Sequence, residues 1–276
     1  MRKIIFSIVL ISSVFIQNFA FAVTNYRVVL AKGLVYKTGS EKPIKVGDKI
    51  DVELKLRYST KDAYLIVMGP KGKFTLKPEI NKTTQNEFVT FVKSSLLPVK
   101  SAGRLSTRGE ESGISDLGNY FGEDSFALIG ESYKVKLNPK NYELSDNQFI
   151  IYRYESNGNV MSKKLAFEGN EIIFDKSALY KDHKGNDISQ ANIGKIDLYR
   201  FNALTKSSSK IVSFKPVFVS EEELKEQLTL VYAICKEELT LDQLKTEDEL
   251  IKFVLDIYGR TDEVQLKKWL KANVIK

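Results

Sequence analysis

Apolar residues between Tyr26 and Pro78 recur mostly at every second position, the period that gathers them on one face of a strand. In "DVELKLRYS", Val52, Leu54, Leu56 and Tyr58 alternate with Asp51, Glu53, Lys55 and Arg57. "AYLIVM" is apolar throughout, which suits a strand covered on both faces. Gly47-Asp48 permits positive φ between short strands, and "GPKG" supplies a turn before "KFTL" returns antiparallel. The pattern predicts a small meander or barrel of about five strands. At "TTQNEFVTFVKSSLLPVK" the period changes. Phe88, Phe91, Val92 and Leu96 stand at helical spacing and Pro98 stops the run, which predicts a helix near 84–97, with a strand over "FVTFV" as the alternative. Gly, Ser and charged residues fill 100–124, which reads as a linker or surface loop with one short helix around "ISDLGNYF".

Strand patterning returns from Ser125 to Val219 as seven segments: "FALIG", "YKVKL", "QFIIYRYES", "NVMSKKLAF", "EIIFD", "KIDLYRF" and "KIVSFKPVFV". Asn157-Gly158 is the dipeptide of a type I′ hairpin, and Gly169-Asn170 suits type II′. Seven short strands with no helix between them predict an immunoglobulin-like β-sandwich, without the Cys–Trp–Cys core of antibody domains. The last stretch, 220–276, is helical in period. Ser220 with Glu223 forms a capping box ahead of Leu224, Leu228, Val231 and Ile234. Thr246 with Glu249 repeats the box ahead of Leu250, Phe253, Val254 and Ile257, with Gly259 as the stop. A last short helix carries Leu266, Trp269 and Leu270. Each helix is too short to stand alone and must dock on its fellows, on the sandwich or on a partner. The expected fold is therefore mainly β with a helical C-terminal tail.

"VVLAKGLVYKTGSEKPIKVGDKIDVELKLRYSTKDAYLIVMGPKGKFTL" resembles the FecR-type β domain of bacterial envelope proteins, through Val29, Gly33, Val35, Val46, Gly47, Asp48 and Ile50. The resemblance, about 26–77, implies a small β fold and an envelope location. It brings no catalytic residues with it.

The first 22 residues carry the pattern of an export signal. Arg2 and Lys3 precede an apolar run from Ile4 to Ile16, and Ala20-Phe21-Ala22 is a small-x-small cleavage pattern, so the mature chain is expected to start at Val23, with an uncleaved anchor helix as the alternative. The expected divisions are then 23–99 for the small β domain with a trailing helix, 100–124 for the loop, 125–219 for the sandwich and 220–276 for the tail. The reading is an exported protein, periplasmic or at the cell surface.

Charge is unevenly spread. Residues 23–136 hold 19 Lys and Arg against 13 Asp and Glu, whereas 137–276 hold 21 against 22. A basic front half leans toward anionic surfaces, including a weak contact with anionic lipid. Lys71, Lys73 and Lys77 form a candidate basic rim, and Arg104 and Arg108, four apart around Ser106 and Thr107, form a candidate clamp for a carboxylate or phosphate. Tyr58, Tyr64 and Phe74 lie near the rim, but export removes nucleic acid as a partner.

Catalytic chemistry finds little footing. A single cysteine, Cys235, rules out a disulfide within the chain and a thiolate-clustered metal site. A single histidine, His183, lies in a polar loop far along the chain from Cys235. Gly69 and Gly72 precede a strand, so they lack the helix a phosphate loop requires. No cofactor is expected. The leading expectation is a non-enzymatic envelope protein that binds a protein or cell-wall partner through its β modules. The alternative is a carbohydrate-active enzyme or carbohydrate-binding accessory that presents Tyr152, Tyr154 and Tyr199 to sugars.

Overall fold

The computed structural model describes residues 25–78, 88–92, 97–99, 105–106, 112–182, 184–190 and 193–275. Strand outweighs helix, 42% against 26%, and the front unit is not a closed barrel. Among the described residues the strands are β1 (Asn25–Lys32), β2 (Val35–Lys37), β3 (Lys49–Asp51), β4 (Lys55–Tyr58), β5 (Tyr64–Gly69), β6 (Gly72–Leu76), β7 (Phe88–Phe91), β8 (Leu97–Pro98) and β9 (Leu105–Ser106) in the first part. They continue as β10 (Ser125–Ile129), β11 (Ser132–Lys136), β12 (Gln148–Ser156), β13 (Asn159–Lys164), β14 (Ala166–Glu168), β15 (Glu171–Asp175), β16 (Ile196–Asn202), β17 (Ser207–Val219) and β18 (Thr261–Asp262). The helices are α1 (Leu117–Phe121), α2 (Lys176–Leu179), α3 (Glu221–Ala233), α4 (Gln243–Tyr258) and α5 (Glu263–Asn273), with a π-helical turn at Ile234–Glu238.

The front unit is two sheets, β3-β1-β5-β6-β8 and β2-β4-β7, closed on a core that includes Tyr26, Val35, Leu56, Leu65 and Leu76. The alternating stretch "DVELKLRYS" is not one strand. The Asp51 carboxylate accepts the Glu53 amide at 2.8 Å, and this turn sends β3 to one sheet and β4 to the other. The helix expected over 84–97 is corrected in part, since Phe88–Phe91 is strand β7, antiparallel to β4. "FVTF" alternates as well as it spirals, and pairing satisfies the backbone groups of β4 that a helix would leave open. The remainder of 84–97, apart from Val92 and Leu97, lies outside the described residues.

The second β unit packs the sheet β10-β17-β16-β12-β13 against β11-β15-β14. Its core takes Phe126, Tyr152, Phe174, Phe214 and α1's Phe121, whose ring stacks on Phe214 at 4.3 Å between centroids. The expected hairpin turn is present, with φ of +51° at Asn157 and +75° at Gly158. The segment expected as one strand, "NVMSKKLAF", breaks at the buried Leu165 into β13 and β14, which belong to different sheets.

The helical tail covers surfaces of this same chain. Val29, Ile66 and Met68 of the front sheet, Ala127 and Val219 of the sandwich, and Leu224, Leu228, Val254, Leu266 and Leu270 of the helices share one buried cluster. Strand β5 shows why its run is apolar on both faces: Leu65 and Val67 fill the front core, while Ile66 and Met68 meet the helices. Charge reinforces the docking. Residues 25–78 hold twelve Lys and Arg against five Asp and Glu, and residues 220–276 hold nine against thirteen. Arg27 pairs with Glu238 at 2.6 Å, and Lys73 with Asp256 at 2.5 Å. Part of the basic excess of the front half thus faces the acidic tail.

The second capping box is displaced. Helix α4 starts at Gln243, where Asp242 accepts the Lys245 amide at 2.9 Å, and Thr246 is buried inside the first turn, donating its hydroxyl to Asp242 O at 2.7 Å. Between α4 and α5 the chain runs beside the sandwich: Arg260 N donates to Ser125 O at 2.8 Å and Ala127 N donates to Arg260 O at 2.7 Å. Asp262 then caps α5 through the Gln265 amide at 2.8 Å and accepts the buried Tyr120 hydroxyl at 3.0 Å.

Candidate functional site

The outer face of the five-stranded sheet is divided. Over β10 and the end of β17, Ala127, Ile129, Val217 and Val219 lie under the helices. Over β16, β12 and β13 no described element covers it. Alternation puts Ile150, Tyr152 and Tyr154 into the core and leaves Phe149, Ile151 and Arg153 outside; on β16 it buries Ile196 and Leu198 and leaves Asp197, Tyr199 and Phe201 outside.

Register aligns these outward residues into rows across the strands. Lys164, Ile151, Tyr199 and Lys210 form one row, Ser162, Arg153, Asp197 and Ser213 a second, and Phe149, Phe201 and Ser208 a third. Phe149 and Phe201 contact each other at 5.2 Å between centroids. Cations sit over the rings: the Arg153 guanidinium is 4.8 Å from the Tyr199 ring centre, and Lys164 Nζ is 4.5 Å from that of Phe149 and 5.5 Å from that of Phe167. Arg153 also donates to Ser162 Oγ at 3.1 Å, and among the described residues it has no carboxylate partner.

At the β17 end the face opens into a cleft of about 990 Å³ between β17 and α1. Its lining includes three cations, Lys195, Lys210 and Arg260, with Glu123 as its carboxylate. Lys210 pairs with Asp197 at 2.8 Å. Burial pushes the Asp197 carboxyl up, but hydrogen bonds from Lys210, Ser213 and Tyr199 outweigh it and hold the group below its ordinary value. The Lys210 ammonium is raised by the same hydrogen bond.

A second cleft, of about 670 Å³, lies where the front sheet, the sandwich and the helices meet. Tyr64 lines it, with Lys32 and Lys77 at 5.7 and 5.6 Å from its ring centre, as does Tyr258, which donates to Gln227 Oε1 at 2.6 Å. Burial pushes the Tyr258 hydroxyl up to about 12. Glu223, Glu226, Lys32 and Lys215 give it mixed charge.

The basic rim expected from the sequence does not stay together. Lys71 is exposed at the β5–β6 turn and Lys77 lies against Tyr64, but Lys73 turns into the helical tail, where its pairing with Asp256 withdraws it from any solvent-facing rim. Arg104 and Arg108 lie outside the described residues, as does His183. Cys235 is buried in the cluster beneath the helices, and burial pushes its thiol up to about 11. Of the three tyrosines considered for sugars, Tyr152 and Tyr154 point inward, with Tyr152 bonded to Tyr180 at 2.9 Å and Tyr154 donating to Leu179 O at 2.7 Å. Tyr199 alone of the three faces outward. Sequence reading passed over Phe149, Phe201, Arg153, Lys164 and Lys210. The signal for Phe149 was present in "QFIIYRYES", which is apolar on both faces over its first half.

Compared with the known protein families and with the curated proteins, the chain matches none of them.

Proposed function

We propose that this chain is an exported, non-enzymatic binding protein that docks an envelope partner on the outer face of its sandwich. The observation that carries the reading is the uncovered part of that face, where half-buried rings, Tyr199 and Phe149 each beside a cation, continue into an open cleft. Rigid strands hold these groups in register, the condition for a preorganised binding surface. Buried polar groups elsewhere serve the fold: Tyr120 and Asp262 join α5 to the sandwich, and Lys73 and Asp256 join α4 to the front sheet.

The sandwich is read as immunoglobulin-like. Strands β11, β15 and β14 on one sheet facing β17, β16, β12 and β13 on the other follow the order B-E-D and G-F-C-C′. The front unit is read as FecR-type, a reading supported by Gly33 and Gly47, two glycines of that pattern, at φ of +70° and +92°. The leader pattern of residues 1–22 supports export. Among the described residues no helix is long and apolar enough to cross a membrane.

A photo-crosslinker placed at Ser208 tests the reading in intact cells, with one at Ser177, on α2, as control. Adducts at Ser208 that are absent at Ser177 and lost in Phe201→Ala are expected. Equal labelling at both positions, or none at Ser208, would remove the outer face from consideration.

A further inference from the structure

The chemistry of the outer face narrows the occupant. A protein interface keeps Lys, Asp and Glu out of its centre, while aromatic residues and Arg are favoured there. Here the centre is charged, because Arg153 lies over Tyr199 and Lys164 over Phe149. The large exposed apolar side chains of this unit, Val160 and Leu204, stand apart at hairpin ends. A ring beneath a cation holds that cation in place without neutralising it; Lys164 also reaches the exposed Asp146 carboxylate at 3.5 Å, whereas Arg153 has no carboxylate partner among the described residues and keeps N–H donors for a carboxylate from outside.

The cations also follow a line. Lys164 and Lys210 end one cross-strand row three strand spacings apart, about 14 Å. Arg153 sits in the next row, and the cleft beyond Lys210 adds Lys195 and Arg260. Lys210 belongs to both row and cleft and joins them, its charge shared with Asp197 at 2.8 Å. Lys195 has no carboxylate partner among the described residues.

Resting on the binding reading above, we propose that this track binds an acidic polysaccharide, a linear chain bearing carboxylates on a hydrated sugar backbone, laid across β13, β12, β16 and β17 and ending in the cleft. Carboxylates meet Arg153 and Lys195, and the ring edges of Phe149 and Phe201 take the apolar faces of the sugars. Polyvalency gives affinity from contacts that are individually weak.

The test uses the mature full-length chain and three probes: polygalacturonate, its fully methyl-esterified form, and single-stranded DNA of matched length. Polygalacturonate binding is expected, with the ester bound at least tenfold more weakly. Arg153→Gln with Lys195→Gln should weaken polygalacturonate at least tenfold. Lys71→Gln with Lys77→Gln, an equal loss of charge on the front unit, should weaken it less than twofold. Equal losses from the two pairs would mean that net charge alone attracts the polymer, and equal binding of DNA would mean an unselective polyanion surface; either overturns the proposal. If polygalacturonate fails to bind while Ser208 still crosslinks to a protein, the glycan assignment falls and the binding reading stands. If Ser208 gives no adduct at all, the binding reading falls with it.

Discussion

Lys73 Nζ lies 2.5 Å from Asp256 Oδ2, with both side chains about nine-tenths buried, and so joins β6 of the front sheet to α4 of the tail. The two residues are 183 positions apart. Removing one partner of a buried pair strands the other's charge, which costs more than the pair contributes. Lys73→Met is therefore expected to destabilise the protein by about 3–5 kcal/mol in urea unfolding. Lys73→Met with Asp256→Leu should recover most of that loss. A single variant as stable as the parent would show that water reaches the pair.

Gly259 stops α4 at φ +95°, and a Cβ built there would stand 2.5 Å from Ser125 O. The obstacle is backbone of β10, which cannot yield without breaking the Arg260–Ser125 and Ala127–Arg260 hydrogen bonds. Gly259→Ala combines left-handed strain with that clash and is expected to cost about 3 kcal/mol or more. Gly158→Ala is the comparison, at φ +75° with nothing within 4 Å of the added Cβ, and should cost only the strain. Equal melting shifts in the two variants would show that the α4–α5 segment is not held against β10.

Period and turn chemistry made much of the fold legible. The unbroken run of β5, the Asn157-Gly158 turn and the apolar stripe of α3 each have a local cause, and each is where the pattern placed it. Destinations were not legible. Leu224, Leu228 and Val231 would suit any apolar surface, and nothing local says that they meet Val29 of the front sheet and Val219 of the sandwich together. Lys73 looks like Lys71 in sequence, and only its distant partner separates them. The turn after Asp51 was hidden because alternation continued through it. On the outer face of the sandwich, nothing in the sequence marked Phe149 and Ile151 as uncovered, since period two cannot say which of two apolar faces is covered.

Removing the tail should expose what it covers. A chain ending at Val219 would leave Val29, Ile66, Met68, Ala127 and Val219 open to water, a connected apolar surface of the kind that drives association. Strong binding of a hydrophobic dye and concentration-dependent sedimentation are expected. A monodisperse truncated chain that binds no dye would show that the helices are an appendage rather than shared core.

Alkaline pH should unfold the protein early. Burial raises the Cys235 thiol from 9.0 to about 11 and the Tyr180 and Tyr258 hydroxyls from 10.0 to about 12, and it raises Tyr120 and Tyr152 well above 10.0. The hydrogen bonds that Tyr180 shares with Tyr152 and Tyr258 with Gln227 work against burial there without cancelling it. Each group gives up its proton more readily in the unfolded chain. The unfolded state therefore binds fewer protons once pH passes the unfolded value, and stability falls as pH rises. Stability from these groups is full below about pH 9, declines first through Cys235, and declines more steeply beyond pH 10 as the tyrosines join. A group that titrates only when unfolded contributes about 1.4 kcal/mol per pH unit. Urea midpoints at pH 8, 9.5 and 11 should show this steepening, and Cys235→Ala should flatten the interval between 9 and 10 while leaving the steeper fall above it. Midpoints that stay level to pH 11 would mean that these hydroxyls and the thiol meet solvent in the native state.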